Sequence, residues 1–408
     1  MEEVTVNLGT GRASVGAVLD FAWTAGDFTA TEAMASTSLT RSTAIDAIDT
    51  LVSVDILREL PNARAAGSYR SGRPARRFAV SPDLGVVVGV DAGDMHLAVT
   101  IADPLEATLV HHRIDLDPTH SPDQRRAEVL ARLQQALKEA GVTQDAILAI
   151  CVGVAAPVNR DGISPPHPDG FWERTNPHLA EALGGWAPIV EIKNDALLAA
   201  VAEGSDPRGA AIGCRDYVAL LAGERFGGGV VVDGHLLHGA HGGVGEGIVF
   251  DHIIGVGSAF GLSYALHDRV REAVDGGEIA RDSVVGRLAD ADRADPRSIL
   301  ALAASGDADA ELVTSRVGAT LARIVGVLGS MYDPATVIVC GAVAESIEPV
   351  LTAARGILPT QLHLPAPELV ASALGAEVVS LGAVATARRA ARERTVPRLA
   401  ERRLSRAM

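Results

Sequence analysis

The chain has 408 residues, with 36 Lys and Arg against 51 Asp and Glu, a formal net charge of −15, and 48% hydrophobic residues. This length and apolar content predict two or three folded domains. The negative charge argues against a protein that simply coats nucleic acid. The longest apolar run, Ala146 to Val158, is shorter than the roughly 18 residues of a membrane span, and Met1-Glu2-Glu3-Val4 lacks a basic signal start. We therefore expect a cytoplasmic protein without a membrane segment.

The three cysteines give no sign of a disulfide framework or a thiolate metal site. Cys151, Cys214 and Cys340 are far apart in the sequence, lie in apolar strand-like runs and share no CxxC spacing. Buried free thiols are the expected outcome.

Three segments between Ser14 and Leu51 show helical periodicity. Ser14 to Trp23 has one apolar face, and Thr31 is placed to cap a short second helix through Ser36. A turn at Thr37-Ser38 precedes a third helical segment, Leu39 to Leu51. This segment turns Ala44, Ala47, Ile48 and Leu51 inward and leaves Thr40, Arg41, Ser42 and Thr43 at its exposed start. Two helices joined by such a turn can lay the second one in a DNA major groove.

Two predicted strands, Ile56 to Leu60 and Arg77 to Val80, flank a loop rich in Gly and Arg that contains Arg70 and Arg73. From Arg58 to Arg77 there are six Arg against Glu59. The pattern predicts a winged helix-turn-helix DNA-binding domain over residues 1–80, with the wing arginines able to enter the minor groove. The alternative is a small helical domain whose loop arginines are merely solvated, and Asp46 and Asp49 place acid on the recognition helix itself.

The stretch from Val86 to Thr100 marks a change of pattern. An apolar strand runs into Asp91, a Gly turn follows at Gly93, and alternation then predicts the second strand of a hairpin. Gly93 would let the backbone approach a phosphate, and Asp91 could hold a metal or a water bridged to it. A simple turn explains the same residues.

From Val86 onward strands and helices alternate, which predicts an α/β fold with helix-covered sheets. A long helix near Leu312 to Met331 carries an apolar stripe, and strand Val337 to Cys340 meets Gly341. The tail from Arg388 has eight Arg against Glu393 and Glu401, a net charge of +6, and is predicted as a solvated helix.

Several motifs follow one another in a recognisable order. They are Arg41-Ser42-Thr43, Ser71-Gly72-Arg73-Pro74, Val90-Asp91-Ala92-Gly93, Gly153 to Val158, Glu191 to Ala196, Gly234 to Gly239 and Gly245-Glu246-Gly247. In this order they resemble the ROK family of repressors, open reading frames and sugar kinases, over nearly the whole chain.

The resemblance implies an α/β chain in which an N-terminal winged helix-turn-helix precedes two actin-like (ribonuclease H-like) lobes. The expected boundaries are 1–80 for the DNA-binding domain, 81–195 and 196–375 for the two lobes, and 376–408 for a C-terminal helix packed on the first lobe.

The resemblance also implies a sugar site at Asn194, Asp195 and Glu246, and in a kinase Asp195 would be the base that takes the hydroxyl proton. By themselves Asn194 and Asp195 could simply cap the predicted helix Ala196 to Glu203, and capping and ligand binding can also coexist.

Departures from the kinase pattern concern the phosphate loops. Family kinases carry Thr where this chain has Met95, and their Gly-Thr-Gly-x-Gly loop is here Gly223-Glu224-Arg225-Phe226-Gly227. Glu224 would repel phosphate, and Arg225 replaces a Gly that lets the backbone approach. No bound nucleotide and no kinase activity are therefore expected, with Asp195 as a vestigial base.

The family's zinc motif is also missing. Val249 stands where relatives have His, and the Cys-rich segment aligns with Gly255 to Tyr264, which includes Gly257 and Leu262 but no Cys. His252 is close by, but a lone His is more often not a ligand. No metal or other cofactor is expected.

The sequence thus predicts a DNA-binding transcriptional regulator, a repressor with a degenerate sugar-kinase-like effector domain that binds a sugar or sugar derivative. A homodimer or higher homo-oligomer on an operator in double-stranded DNA is expected. Two alternatives remain: an ATP-dependent sugar kinase that carries a DNA-binding head, and a regulator that answers to a protein partner, with the cleft vestigial.

Overall fold

The computed structural model describes residues 10–61, 75–105, 107–290 and 295–407. The N-terminal part contains three helices and a three-stranded antiparallel sheet of order β1-β3-β2. Its elements are α1 (Thr10–Ala25), β1 (Asp27–Thr29), α2 (Ala30–Thr37), α3 (Arg41–Ser53), β2 (Leu57–Leu60) and β3 (Arg77–Val80). The predicted wing residues Arg70 and Arg73 lie outside the described residues.

Helices α2 and α3 begin at threonine caps. The cap of α2 is Thr29, not the predicted Thr31, because Thr29 and Glu32 form a reciprocal capping box. The Thr29 amide donates to the Glu32 carboxylate at 2.7 Å, and the Glu32 amide donates to the Thr29 hydroxyl at 3.3 Å. The predicted inward face of α3 is confirmed, since its buried residues are Ala44, Ala47, Ile48 and Leu51.

The rest of the chain builds two mixed sheets covered by helices. The first sheet and its helices are β4 (Val86–Ala92), β5 (His96–Ala102), β6 (Thr108–Asp115), α4 (Pro122–Ala140), β7 (Ile147–Val154), α5 (Phe171–Thr175), α6 (Leu179–Leu183), β8 (Val190–Asn194) and α7 (Asp195–Ser205). The second set is β9 (Tyr217–Leu221), β10 (Gly227–Val232), β11 (His235–Leu236), α8 (Leu262–Asp275), α9 (Pro296–Ala304), α10 (Ala308–Tyr332), β12 (Thr336–Cys340), α11 (Glu348–Ile357) and β13 (Glu368–Ala371).

The two sheets share one strand order. The first runs β6-β5-β4-β7-β8 and the second β11-β10-β9-β12-β13. In each sheet the first three strands in sequence pair antiparallel, the fourth pairs parallel to the first, and the fifth pairs parallel to the fourth. The predicted hairpin at Val86–Thr100 is confirmed, with Val90 opposite Val99. Parallel strands bring their carboxyl ends to one edge of each sheet, which is where a ligand site forms in such folds.

The chain closes with helix α12 (Val378–Ala390), a π-helical turn (Ala391–Thr395) and helix α13 (Val396–Ala407). Helix α12 packs against α7, β4 and β7. Gly382 makes this possible, because a Cβ there would lie 1.9 Å from the carbonyl oxygen of Leu198 on α7. The two helix backbones are therefore in direct contact.

The prediction of a solvated tail is wrong. Ala391, Val396 and Ala400 are buried within the same apolar cluster that contains Val18 of α1 and Leu51 of α3. The tail is amphipathic: from Arg388 to Arg403 its arginines stay at least partly exposed while its small apolar residues join the core, a pattern that charge counting alone does not reveal.

Within the described chain, one helix, α10, has the length and composition of a membrane span, but 67% of its apolar window is buried within the protein. Its stripe of Val317, Leu321, Ile324 and Leu328 lies in the core of the second lobe. This helix is therefore a core element.

Candidate functional site

A cleft of about 370 Å³ lies where the carboxyl ends of β4 and β8 face the loops that follow β9 and β12. Asp91 is the penultimate residue of β4, the central strand of the first sheet. Asn194 ends β8, and Glu246 enters from a loop of the second lobe. The fold brings together the residues that the sequence assigned to a sugar site, Asn194, Asp195 and Glu246. It adds Asp91 to them.

Asn194 both caps a helix and lines the cleft. Its side-chain oxygen accepts a hydrogen bond from the Leu197 amide at 3.1 Å, so it is the N-cap of α7. Its side-chain nitrogen donates to the carbonyl of Ala156 and to Oε1 of Glu246, both at 3.1 Å. Asn194 therefore caps α7 and lines the cleft at the same time, which the sequence allowed.

The carboxyl groups of Asp195 and Glu246 have pKa values near neutrality. Burial raises the pKa of Asp195 to about 8, and the nearby carboxyls of Glu246 and Asp91 add to the shift. Burial raises the pKa of Glu246 to about 7, against the opposing charge of Arg225. Carboxyl groups that hold a proton near pH 7 can donate as well as accept hydrogen bonds, which suits them to hydroxyl groups.

Asp91 is held by a residue that the sequence reasoning missed. The carboxyl of Asp91 is only 2% exposed, and its Oδ2 lies 2.8 Å from Nε2 of His96. Gly93 leaves room for this pair, because a Cβ there would lie 2.4 Å from the His96 ring. The predicted hairpin could have indicated this contact, because it brings His96, the first residue of β5, back towards Asp91 near the end of β4.

The backbone of the loop after β4 is fixed by a buried arginine. Arg125 of α4 is 2% exposed, and its Nη1 donates to the carbonyl of Asp94 at 2.8 Å while its Nη2 donates to the carbonyl of Gly93. Arg174 donates to the Asp94 carboxylate at 3.1 Å. The loop that the sequence compared with a phosphate loop is thus tied to α4 and α5.

The loop after β9 sends Arg225 across the cleft opening. The Arg225 guanidinium carbon lies 4.3 Å from the centre of the Phe171 ring on α5 and 5.3 Å from that of Phe260. These distances are typical of cation–π contacts. Arg225 therefore links the two lobes at the point where the sequence comparison expected a glycine.

An aromatic wall completes the first-lobe side of the cleft. Phe171, Trp172 and His167 line it, with the His167 and Trp172 rings 4.5 Å apart. Aromatic residues make up 3% of the chain, so an adjacent Phe-Trp pair was a signal available in the sequence.

The second candidate surface is the start of α3. Thr40 is its N-cap, with its hydroxyl accepting from the Thr43 amide at 3.4 Å and lying 2.8 Å from the Thr43 hydroxyl. The hydroxyl of Ser42 lies 3.2 Å from that of Thr40. Arg41 is exposed at the first helical position.

The acid on α3 is partly neutralised by Arg76, which precedes β3. Arg76 contacts the carboxylates of Asp49 and Glu59, each at 2.9 Å, and lies over the Phe78 ring. Hydrogen bonding to Arg76 lowers the pKa of Glu59. The Asp49 charge is therefore paired within the domain, whereas Asp46 stays exposed.

The positions aligned with the zinc motif form no metal cluster. Val249 is 44% exposed and Leu262 is fully buried. In the parts of the chain that the structure describes, no group of three His, Cys, Asp or Glu residues is placed to hold a metal ion.

The two sheets and the cleft between them define a two-lobed α/β architecture. Residues 87–253 match the model of the ROK family. The chain therefore contains a ROK family domain.

Solved structures extend the likeness beyond that segment. The structure of a ROK family transcriptional regulator, a homologue of the E. coli MLC protein, is 19% identical and aligns over 97% of this chain and 99% of its own, with a TM-score of 0.72. A ROK hexokinase from Thermus thermophilus is 28% identical over 74% of this chain and 97% of its own, with a TM-score of 0.52. The fold thus occurs in a regulator and in a kinase.

Among curated proteins, the bifunctional enzyme NanE/NanK of Brucella suis is 30% identical over 205 residues, or 50% of this chain. The chain spans 35% of the length of that relative.

Proposed function

We propose that this protein is a DNA-binding transcriptional regulator, a repressor, whose two-lobed domain binds a sugar or sugar derivative in the cleft. The observation that carries the proposal is a physical connection between the cleft and helix α3. The same C-terminal segment packs on the cleft helix α7 and on the N-terminal domain.

The N-terminal domain supports the DNA-binding part of the proposal. Its order of elements, with α2 and α3 joined by a short turn and followed by two strands, is that of a winged helix-turn-helix. Arg41 stands exposed at the start of α3, where a guanidinium can reach a guanine edge or a phosphate. The expected DNA-binding residues are Thr40, Arg41, Ser42 and Thr43, with Arg70 and Arg73 in the wing.

The connection runs through the C-terminal segment. Arg394 pairs with Glu191 on β8, the strand that ends at Asn194. Further along, Arg403 donates to the carbonyl of Val54, the C-cap of α3, at 2.8 Å. The segment from Arg394 to Arg403 therefore contacts both the strand that leads to the cleft and the end of α3.

The mechanism we propose has two states. A ligand that contacts Asp195 on the first lobe and Glu246 on the second would favour one angle between the lobes. Helices α12 and α13 would carry that change to α3, and in a homodimer it would alter the spacing of two DNA-binding domains. We expect this to take place in the cytoplasm.

A sugar kinase is the second candidate, because the raised pKa of Asp195 and its place in the cleft suit a general base. Glu224 and Arg225 argue against it, since phosphoryl transfer depends on neutralising and positioning phosphates. Coupled assays of ATP turnover with a panel of hexoses separate the two. We expect turnover no greater than that of Asp195→Asn, and sugar-dependent turnover above that control would favour the kinase.

The test of DNA binding is competition binding with a selected operator and scrambled DNA at several salt concentrations. If Arg41 reads a base, Arg41→Ala should cost about 1 to 3 kcal/mol and relax preference at one operator position. A lost phosphate contact should instead lower the salt slope by about one. Half-sites in a near-palindrome should lie about one helical turn, or a multiple of it, apart.

Arg208→Ala is the matched control, because Arg208 is an exposed arginine paired with Asp206, at the end of α7 far from α3 in the sequence. The proposal fails if the wild type shows no salt-dependent binding, or if Arg41→Ala binds DNA as Arg208→Ala does.

A further inference from the structure

The opening of the cleft has a charge character different from that of its interior. Arg225 lines both the cleft and an adjoining pocket of about 400 Å³ at its mouth. Arg174 lines the mouth pocket as well, and its guanidinium carbon lies 5.2 Å from the centre of the Phe171 ring. Two guanidinium groups therefore lie against the Phe171 ring, one from each lobe.

Arg225 is positioned by rings more than by carboxylates. Its contact with the Asp169 carboxylate is long, 3.9 Å, against 4.3 Å to the Phe171 ring centre. Asp169 already interacts with the His167 ring and accepts a hydrogen bond from the Phe171 amide at 2.9 Å. A guanidinium held by its flat face keeps its edge N–H groups available for an oxyanion.

Two other acidic residues at the mouth, Asp94 and Glu224, differ in how strongly they would oppose an anion at Arg225. Asp94 is paired with Arg174 at 3.1 Å. Glu224 also lines the mouth and would oppose an anion. The interior is less repulsive than its carboxyl count suggests, because burial raises the pKa of Asp195 to about 8 and of Glu246 to about 7.

We infer that the cleft takes a sugar that carries an anionic group, with its hydroxyls at Asp195 and Glu246 and its phosphate or carboxylate at Arg225. Arg225 is then the specificity-determining residue between neutral and anionic sugars. The inference rests on the proposed sugar-binding function of the cleft. Anion binding by the Arg225 side chain would account for an arginine at a position where the kinase loop has a glycine that lets its backbone approach phosphate.

Calorimetric titration of the full chain tests the inference. The probes are glucose, galactose and mannose, each as the free sugar, the 6-phosphate and the 6-carboxylate, at constant ionic strength. At least one anionic form should bind about tenfold or more tightly than its neutral sugar, because a charge-assisted hydrogen bond is worth roughly 1.5 to 3 kcal/mol. Comparing the phosphate with the carboxylate arm identifies which anion is recognised, and inorganic phosphate alone measures anion binding without a sugar.

Variants at the mouth make the assignment specific. Arg225→Met should abolish the preference, bringing the ratio of anionic to neutral affinity to about one. Arg225→Lys should retain part of the preference, because it keeps the charge and loses the planar fork. Glu224→Gln should strengthen anion binding. Circular dichroism and thermal unfolding check that each variant is folded.

The inference is overturned if neutral and anionic forms bind alike, if no probe binds, or if Arg225→Met keeps the preference. Its failure is distinguishable from failure of the regulator proposal, because DNA binding by the same preparations is measured separately. Intact DNA binding without an anion preference would reject the ligand class alone.

Discussion

The cleft and the N-terminal domain hold their acidic side chains in opposite ways. In the cleft, Asp195 and Glu246 are half-buried, and desolvation raises their pKa values to about 8 and about 7. On α3 and β2, Asp49 and Glu59 are exposed and share the guanidinium of Arg76. Burial therefore decides whether a carboxyl group is kept ready to exchange a proton or serves as a fixed surface charge.

The two regions should also differ in their sensitivity to substitution. The cleft depends on close packing around α7, whereas the proposed DNA-binding surface on α3 carries solvent-exposed ion pairs, which salt screens. Helices α12 and α13 join the two. Substitutions should therefore change the free energy of unfolding most at the α7–α12 contact, less in the cleft, and least on or beside α3.

The largest effect is expected at the contact that joins the regions. Gly382→Ala places a Cβ 1.9 Å from the Leu198 carbonyl oxygen, so α12 must move away from α7. We expect a loss of about 3 kcal/mol or more in the free energy of unfolding, measured by urea denaturation. Gly356→Ala on α11 is the control, because nothing lies within 4 Å of its Cβ position and alanine favours helix by up to about 1 kcal/mol. Equal stabilities for the two variants would contradict the packing argument.

The second prediction concerns the pH dependence of the ligand-free protein. The pKa of Asp195 is raised in the folded state, so the folded protein binds a proton more tightly than the unfolded chain does. Stability should therefore fall as pH rises from about 4 to about 8. Asp195→Asn should flatten this fall and exceed the wild type at pH 8 by on the order of a few kcal/mol.

Thermal unfolding from pH 4 to 9 checks that prediction, with Asp206→Asn as control. Bonding to Arg208 lowers the pKa of Asp206, so its contribution is lost as pH falls, the opposite sign. A wild-type profile that rises from pH 5 to 8, or an unchanged profile in Asp195→Asn, would show that the pKa of Asp195 is not raised in the folded protein.

A smaller effect is expected where the connecting segment meets α3. Arg403→Ala removes the hydrogen bond to the Val54 carbonyl and should cost about 1 kcal/mol. Hydrogen exchange should show that loss in the amides of α3 before those of the two lobes. Arg402→Ala serves as control, because Arg402 is exposed on the same helix. Identical exchange in both variants would argue against the contact as a route between the regions.

The smallest effect on stability is expected at Arg76. Exposed ion pairs contribute roughly 0.2 to 1 kcal/mol, so Arg76→Ala should change unfolding by no more than that. DNA affinity should fall more clearly, because Asp49 would then face phosphate unpaired. Arg76→Lys, which keeps the charge, should bind DNA more tightly than Arg76→Ala at low salt, and equal affinities would show that Asp49 lies away from the DNA.

The sequence alone predicted the elements whose pattern is local. The apolar spacing of Ala44, Ala47, Ile48 and Leu51 determined the inward face of α3, and the alternation after Val86 determined the first hairpin. Motif order brought Asn194, Asp195 and Glu246 together as a candidate site. The helix face and the hairpin were predicted correctly because the helix and strand periods are set by neighbouring residues, whereas the site residues were proposed from the family resemblance.

Only the tertiary structure decided the contacts that cross the chain. Arg403 meets Val54 across 349 residues, and Arg225 reaches Phe171 from the opposite lobe. The tail's charge predicted solvent exposure, yet its small apolar residues complete the core beside α1 and α3. Sequence spacing carries no information about such distant neighbours, because they depend on how the two sheets face each other and on how closely glycines let their covering helices approach.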